Sequence, residues 1–348
     1  MHLSMLPRFP LLSGPTPLHR AANLEAALGG RSPRIYIKRD DLTGLAFGGN
    51  KARKLEYLVA DALARRATVL VTEGAAQSNH ARLTAAAAVR AGLECVLVLD
   101  SRNGDVVEGN LLLDHLLGAD VRIVEDQLTR RKVMASIADE LRADGQHPYV
   151  IPTGGSVPLG ATGYVAFVLE LLGQLQDLGE SPRRIYLASG SMGTQAGIEV
   201  GVRAFSASFL VQGIAVSGTT HELARQAAEL ADETATLLHT RQRFHFGEIL
   251  VDDGFIGPGY GKATPEGLDA IRLLARTEAI VLDPVYSAKA MAGLLHHIQT
   301  GELRPSDSVV FLHTGGGPSV FAWNERLLRT PKSAIAPDPV PAMATPRR

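Results

Sequence analysis

Short apolar runs alternate with longer stretches of helical spacing along the whole chain of 348 residues. The runs at residues 35–37, 69–71, 96–99, 185–187, 210–216, 280–282 and 309–312 read as buried strands. Between them, Leu55, Leu58, Val59, Ala62 and Leu63 follow the i, i+3, i+4, i+7, i+8 rhythm of a helix, with Asn50 placed as its N-cap. This alternation predicts an α/β protein with largely parallel sheets. Ligands of such sheets sit beyond the carboxyl ends of strands, so the glycine- and serine-rich turns that follow strands become the places to search. "EGAAQSNHARLTAAAAVRAG" (73–92) follows the strand ending near Thr72, with Ser78 or Asn79 as cap and Gly92 as stop. "ASGSMGTQAG" (188–197) follows the run at 185–187. "PTGGSVPLGATG" (152–163) reads as a domain hinge or a long surface loop, and the Pro- and Ala-rich tail from Pro331 as disordered. No internal repeat is visible.

Composition narrows the class. With 45% hydrophobic residues, 20% charged residues and a formal net charge of −1, the chain suits a soluble globular protein rather than a partner of nucleic acid or an anionic membrane. It shows neither a signal-peptide pattern nor a run of about 18 uninterrupted apolar residues, so a cytoplasmic location is expected. The single cysteine, Cys95 in "CVLVLD", can form no internal disulfide and is expected in the core.

Candidate chemistry starts at "GGNKARKLEY" (48–57). A lysine in the first turn of a helix meets the positive end of the macrodipole, at a cost of roughly 0.3 to 1 kcal/mol. Lys51 is poorly placed as a solubiliser, which leaves a salt bridge, an anion contact or a Schiff base, for which a lowered amine pKa is useful. "SGSMGTQAG" (189–197) offers glycines and hydroxyls at a strand-to-helix turn, where backbone N–H groups can cradle a phosphate. A dinucleotide fold would need G-x-G-x-x-G and an acidic residue at the end of the next strand; neither is present. A Walker loop, a zinc-type H-E-x-x-H, a Cys pair and a G-x-S-x-G elbow are absent too, and no metal site is expected. His296 and His297 point to different helix faces and read as surface or packing residues. Tyr260 in "GPGYG" and Tyr286 in "DPVYS" stand in turns that expose side chains to clefts. A suspicious lysine and a separate phosphate turn together point to pyridoxal phosphate bound as an imine.

The motifs "IKRDD", "GGNK.RKLE", "QSNHAR", "ASGS.GT.AG", "PGYG", "LDPVY..KAMAGL" and "HTGG" run from one end of the chain to the other. In order and spacing they resemble the fold-type II pyridoxal-phosphate enzymes, in the branch of D-cysteine desulfhydrase and 1-aminocyclopropane-1-carboxylate deaminase. The resemblance implies two open, twisted, mostly parallel sheets flanked by helices. Residues 1–50 with 165–330 would form the large cofactor-binding domain, 51–164 the small one, and 331–348 a disordered tail. It implies that Lys51 carries the cofactor and moves the Cα proton, that Asn50 bonds the ring hydroxyl, and that Asn79 shares that region. Ser78, Asn79 and His80 would grip the substrate carboxylate, with Ser78 assisting catalysis. Gly190, Ser191, Met192, Gly193 and Thr194 would hold the phosphate, and Tyr260 and Tyr286 would line the substrate side of the ring. A homodimer acting on a small amino acid is the family's usual form.

Two departures choose within the family. The ring-opening deaminases carry a glutamate directly after the second tyrosine, where this chain has Ser287. They also lack the hydroxyl of Thr314, which resembles the pyridine-nitrogen partner of the desulfhydrases. A neutral hydroxyl leaves that nitrogen largely unprotonated and the electron sink weak. A weak sink suits β-elimination better than opening an unactivated ring, so a β-eliminating lyase is expected. Cysteate sulfo-lyase and aminocyclopropane carboxylate deaminase are the alternatives, and a noncatalytic binder of pyridoxal phosphate or amino acids is the reading from another class.

Overall fold

A computed structural model describes residues 1–100, 106–323 and 327. The strands are β1 (Leu18–Arg20), β2 (Arg34–Lys38), β3 (Val69–Ala75), β4 (Glu94–Asp100), β5 (Asp120–Val124), β6 (Pro148–Ile151), β7 (Arg184–Ser189), β8 (Leu210–Ala215), β9 (Leu250–Asp252) and β10 (Ser308–Leu312). The helices are α1 (Ala22–Leu28), α2 (Lys51–Ala64), α3 (Asn79–Ala91), α4 (Gly109–Leu116), α5 (Gln127–Ala143), α6 (Pro158–Leu178), α7 (Gly193–Ala204), α8 (Thr220–Leu237), α9 (Pro265–Glu278) and α10 (Ser287–Gln299). A six-stranded sheet has the order β1-β2-β10-β7-β8-β9, and a four-stranded sheet the order β5-β4-β3-β6. Every pairing is parallel except β1 with β2, as the βα rhythm of the sequence requires.

The central strands are apolar on both faces because helices cover both. Val69, Leu70 and Val71 of β3, and Leu97, Val98 and Leu99 of β4, are fully buried. Cys95 is buried there as expected. Helix α3 begins at Ser78, whose Oγ accepts from Ala81 N at 3.2 Å, and stops at Gly92, which supplies the left-handed φ of 68°.

Three expectations need correction. Residues 280–282 are not a strand: Ile280 and Leu282 are buried, but the Val281 carbonyl accepts from the His313 ring at 3.1 Å instead of joining a ladder. "PTGGSVPLGATG" is no surface loop; it holds a 3-10 turn at Thr153–Gly155 and the first two turns of α6, where Gly160 and Gly163 let other backbone come close. Asn50 precedes α2 but does not cap it, for a reason given below. The boundary expected between 164 and 165 falls within α6, which runs unbroken through both residues. The tail at 331–348 lies outside the described residues. Helix α6 is long and apolar enough to cross a membrane by length and composition, yet Tyr164, Val165, Phe167 and Val168 are fully buried, as in a central core helix.

Helix α2, which opens with Lys51, is bolted to the large sheet by a buried ionic network. Arg53 donates to both oxygens of Asp40 at 2.8 and 2.9 Å and to Glu170 at 2.8 and 2.9 Å. Tyr164 donates to Asp40 at 2.6 Å, and Lys38 from β2 reaches Glu170, Gln174 and the Thr16 carbonyl. Burial raises the Glu170 pKa, but hydrogen bonds and charge from Arg53 and Lys38 outweigh it and pull the carboxyl from 4.5 to about 2. Glu170→Gln would leave two buried cations short of charge and is expected to cost roughly 3 kcal/mol. Because the folded-state pKa is depressed, this stability is complete above about pH 4.5 and disappears as pH falls through about 2. Urea titrations at pH 7 and pH 3 should therefore show a gap between wild type and variant that narrows in acid.

Candidate active site

The predicted residues gather between the two sheets, around the starts of α2, α7 and α10. The residue preceding α2 and that preceding α7 supply no side-chain cap, the first N–H groups of α10 go to the Asp283 carboxylate, and Ser78, Thr219 and Thr264 cap α3, α8 and α9. Open helix N-termini favour anions, and those of α2 and α7 lie side by side, joined through Asn50. Asn50 shows why the cap is missing. Its Nδ2 donates to Thr194 Oγ1 at 3.0 Å, so the side chain ties the lysine turn to the phosphate turn, while its own N–H donates to the Thr314 carbonyl at 3.0 Å. One residue thus joins three predicted site segments.

Burial lowers the Lys51 amine from 10.5 to about 8, so on the order of a tenth of it is neutral at pH 7. The sequence reading missed the second lysine. Lys54 lies one turn on, on the same helix face, and is buried; its Nζ donates to the Gly154 carbonyl at 3.1 Å and to Ser156 Oγ at 3.2 Å. Burial, and then the charge of Lys51, push the Lys54 amine well below the usual lysine range. Ser156 Oγ donates in turn to Ser191 Oγ at 2.8 Å and accepts from Gly193 N at 3.2 Å. A Cβ on Gly193 would stand 2.6 Å from both Lys54 Nζ and Ser156 Oγ, so only glycine fits. Met192, buried, takes a left-handed φ of 59° to start α7 there. A buried amine with no carboxylate among its hydrogen-bond partners, set at an uncapped helix start, fits a phosphate. The i, i+3 spacing could have flagged Lys54; Ser156, about a hundred residues away in sequence, carried no such signal.

On the other wall, the hydroxyls of Tyr260 and Tyr286 are hydrogen-bonded to each other. Burial at the hydroxyl end raises both phenols, Tyr286 further because Tyr260 adds to it, so both stay protonated at neutral pH. Tyr286 is presented by a turn built on Asp283, also missed. Its carboxylate accepts from Val285 N and Tyr286 N at 2.9 Å, from Ser287 N at 2.8 Å and from Ser287 Oγ at 2.6 Å. The Ser287 hydroxyl is therefore committed to the turn. Thr314 is buried just past β10.

Ser78, Asn79 and His80 open α3, but their side chains diverge. Ser78 Oγ is the cap acceptor, and Asn79 Oδ1 accepts from Asn110 at 2.9 Å. The His80 ring turns to Thr72, 2.9 Å away. Thr72 gives its one hydroxyl proton to the Ile151 carbonyl at 2.7 Å, so His80 Nε2 must be the donor to Thr72. Burial, then Lys51 and Lys54, hold this imidazole neutral. His297 also proves a packing residue: it is buried against Tyr186 and Asp252, while His296 is exposed.

Residues 10–315 match the family of pyridoxal-phosphate dependent enzymes, and the chain belongs to it. Its site suits that cofactor, with an amine for the carbonyl carbon and a separate cradle for the phosphate. Within the family it is similar to D-cysteine desulfhydrases. That of Klebsiella pneumoniae is 40% identical over 331 residues, 94% of this chain and 99% of the relative, and that of Yersinia pestis 41% identical over 330, 93% and 98%. The crystal structure of an ACC deaminase homologue superposes with a TM-score of 0.86 at 38% identity, covering 94% of this chain and 97% of the other. The crystal structure of a T.th. threonine deaminase, at 23% identity and a TM-score of 0.64 over 87% and 92% of the two chains, shares the fold.

Proposed function

We propose that this enzyme is a β-eliminating carbon–sulfur lyase that converts D-cysteine and one water into pyruvate, hydrogen sulfide and ammonia. The observation that carries the choice of reaction is Ser287: no carboxylate follows Tyr286, and the hydroxyl standing there is bonded to Asp283. Likeness to D-cysteine desulfhydrases over nearly the full chain supports the substrate.

Pyridoxal phosphate, when bound, supplies a carbonyl that condenses with an amine and a ring that draws electrons from Cα. Lys51 Nζ is the amine that holds it; with a pKa near 8 it can also accept the Cα proton. Lys54, Ser156, Ser191, Met192, Gly193 and Thr194, with Gly190, are assigned to the phosphate, Asn50 and Asn79 to the ring hydroxyl, and Thr314 to the ring nitrogen. Ser78 and Asn79, at the start of α3, take the substrate carboxylate, with His80 fixed behind them as a neutral donor to Thr72. The protonated Tyr260 and Tyr286 pair lines the substrate side and can hand a proton to the departing sulfur. The larger lobe, 1–50 with 165–330, would carry the cofactor and the smaller, 51–164, the carboxylate loop, joined through α6. A cytoplasmic homodimer is the form the family resemblance supports.

The test is a side-by-side assay of D-cysteine, L-cysteate and aminocyclopropane carboxylate, scoring pyruvate, α-ketobutyrate, sulfide and sulfite. We expect kcat/KM for pyruvate and sulfide from D-cysteine to exceed that for α-ketobutyrate by at least about tenfold, because each 1.4 kcal/mol or so of lost carbanion stabilisation is about a factor of ten. Faster α-ketobutyrate would make the enzyme a ring-opening deaminase, faster sulfite a sulfo-lyase, and binding without turnover a noncatalytic binder.

A further inference from the structure

The turn that delivers Lys51 is backbone of an unusual kind. Ala46, Phe47, Gly48 and Gly49 take φ values of 38°, 66°, 67° and 136° in succession. Glycine accepts such angles freely, but each side-chain-bearing residue held there is disfavoured by about fivefold or more. Something must hold Ala46 and Phe47 in place. It is not the Phe47 side chain, which is 69% exposed.

The carbonyls of Ala46 and Gly48 both face the guanidinium of Arg82 on α3. Nη1 donates to Ala46 O, Nη2 to Gly48 O at 3.0 Å, and Nε to Asn110 Oδ1 at 2.9 Å. Arg82 is fully buried, and none of these hydrogen bonds goes to a carboxylate. Among the described residues Asp114 makes no hydrogen bond to it, and burial lifts that carboxyl to about 8, so at pH 7 it is mostly protonated and offers Arg82 little countercharge. A buried arginine serving stability alone is ordinarily matched with a carboxylate, as Arg53 is with Asp40 here. Arg82 instead spends its donors on main-chain oxygens of the strained turn. Asn110 extends the arrangement, donating to Asn79 Oδ1 and to the Gln77 carbonyl, each at 2.9 Å.

We propose that Arg82 is a positioning residue: it clamps the left-handed turn at 46–49 so that α2 begins with Lys51 at the point of cofactor attachment, and through Asn110 it ties that turn to the carboxylate loop at 77–79. The proposal rests on the reading of Lys51 as the attachment point. Conservation of charge is not enough for this task, since the two carbonyls and the amide oxygen need the three-sided fork of a guanidinium.

The full-length protein carrying Arg82→Lys would be compared with wild type by two readouts that do not depend on turnover. These are amide hydrogen exchange of peptides covering 44–51, and rebinding of pyridoxal phosphate after its removal. In a variant with unchanged circular dichroism, exchange over 44–51 should rise about tenfold or more while β7 and β10 stay protected, and cofactor rebinding should weaken by about tenfold. Adding Phe47→Gly, which relieves strain without removing packing, should restore rebinding severalfold. Unchanged exchange and rebinding in folded Arg82→Lys, or a loss that Phe47→Gly does not lessen, overturns the clamp. Should Arg82→Lys fail to fold, Asn110→Ala removes the acceptor of Nε; raised exchange at 44–51 supports the clamp and unchanged exchange refutes it. Cofactor found on another lysine of the wild type would end the reading of Lys51, while the exchange result would still judge the clamp.

Discussion

Lys51→Ala is expected to lower turnover by at least about a thousandfold and to leave no cofactor covalently attached, because one side chain supplies both the anchor and the base. The amine is suited to both tasks by where α2 begins. Burial lowers its pKa to about 8, so a neutral fraction exists at working pH, and the unfavourable helix dipole acts in the same direction. The site contains a second buried amine on the same helix face, which sharpens the test. Borohydride reduction of the wild type followed by peptide mapping should place the pyridoxyl group on Lys51 alone. A label on Lys54 would exchange the roles of the two lysines, and substantial turnover by Lys51→Ala would remove this residue from the chemistry.

Lys54→Met should weaken cofactor binding by about a hundredfold or more while leaving the fold intact. Removing one partner of a buried charged contact costs on the order of 2–5 kcal/mol, and here the partner removed is the only cation set between Gly154, Ser156 and the start of α7 among the described residues. The apolar methionine fills nearly the same volume, and removing the buried amine can even raise the stability of the cofactor-free protein. There is a proton signature as well. Burial and Lys51 hold the Lys54 amine well below its ordinary pKa, and an arriving phosphate dianion would raise it. Binding should therefore shift the proton balance further toward uptake in the wild type than in Lys54→Met. Calorimetry in buffers of different ionisation enthalpy measures it directly; equal uptake by both proteins would contradict the assignment.

The parts of the molecule legible in the sequence were those decided by local pattern. Continuous apolar runs marked β2, β3, β4, β7, β8 and β10, because strands covered by helices on both faces need no polar alternation. Short or half-exposed edge strands escaped. β5 carries the exposed Asp120, Arg122 and Ile123, and β1 and β9 have three residues each, too few to show a period. Residues 280–282 misled for the opposite reason: they are as apolar as a strand, and only the His313 ring, more than thirty residues on, reveals that the Val281 carbonyl is already taken. In the site, the glycine turns and Lys51 announced themselves by breaking a local rule. Asn50 looked like a cap because nothing local shows that Thr194 claims its side chain. Lys54, Asp283 and Arg82 looked ordinary, since what makes them unusual is burial against segments distant in sequence.

The proposed reaction releases sulfide, a nucleophile and reductant that attacks disulfides and oxidised thiols. This chain has one cysteine, and it lies within β4 under the helices of the small sheet. Burial lifts the Cys95 thiol above its usual range, so little thiolate exists to be oxidised, persulfidated or alkylated. With no internal disulfide and a thiol kept protonated, the protein should keep full activity through treatment with iodoacetamide or mild peroxide, and need neither a protecting thiol in storage nor a cellular partner to reduce it.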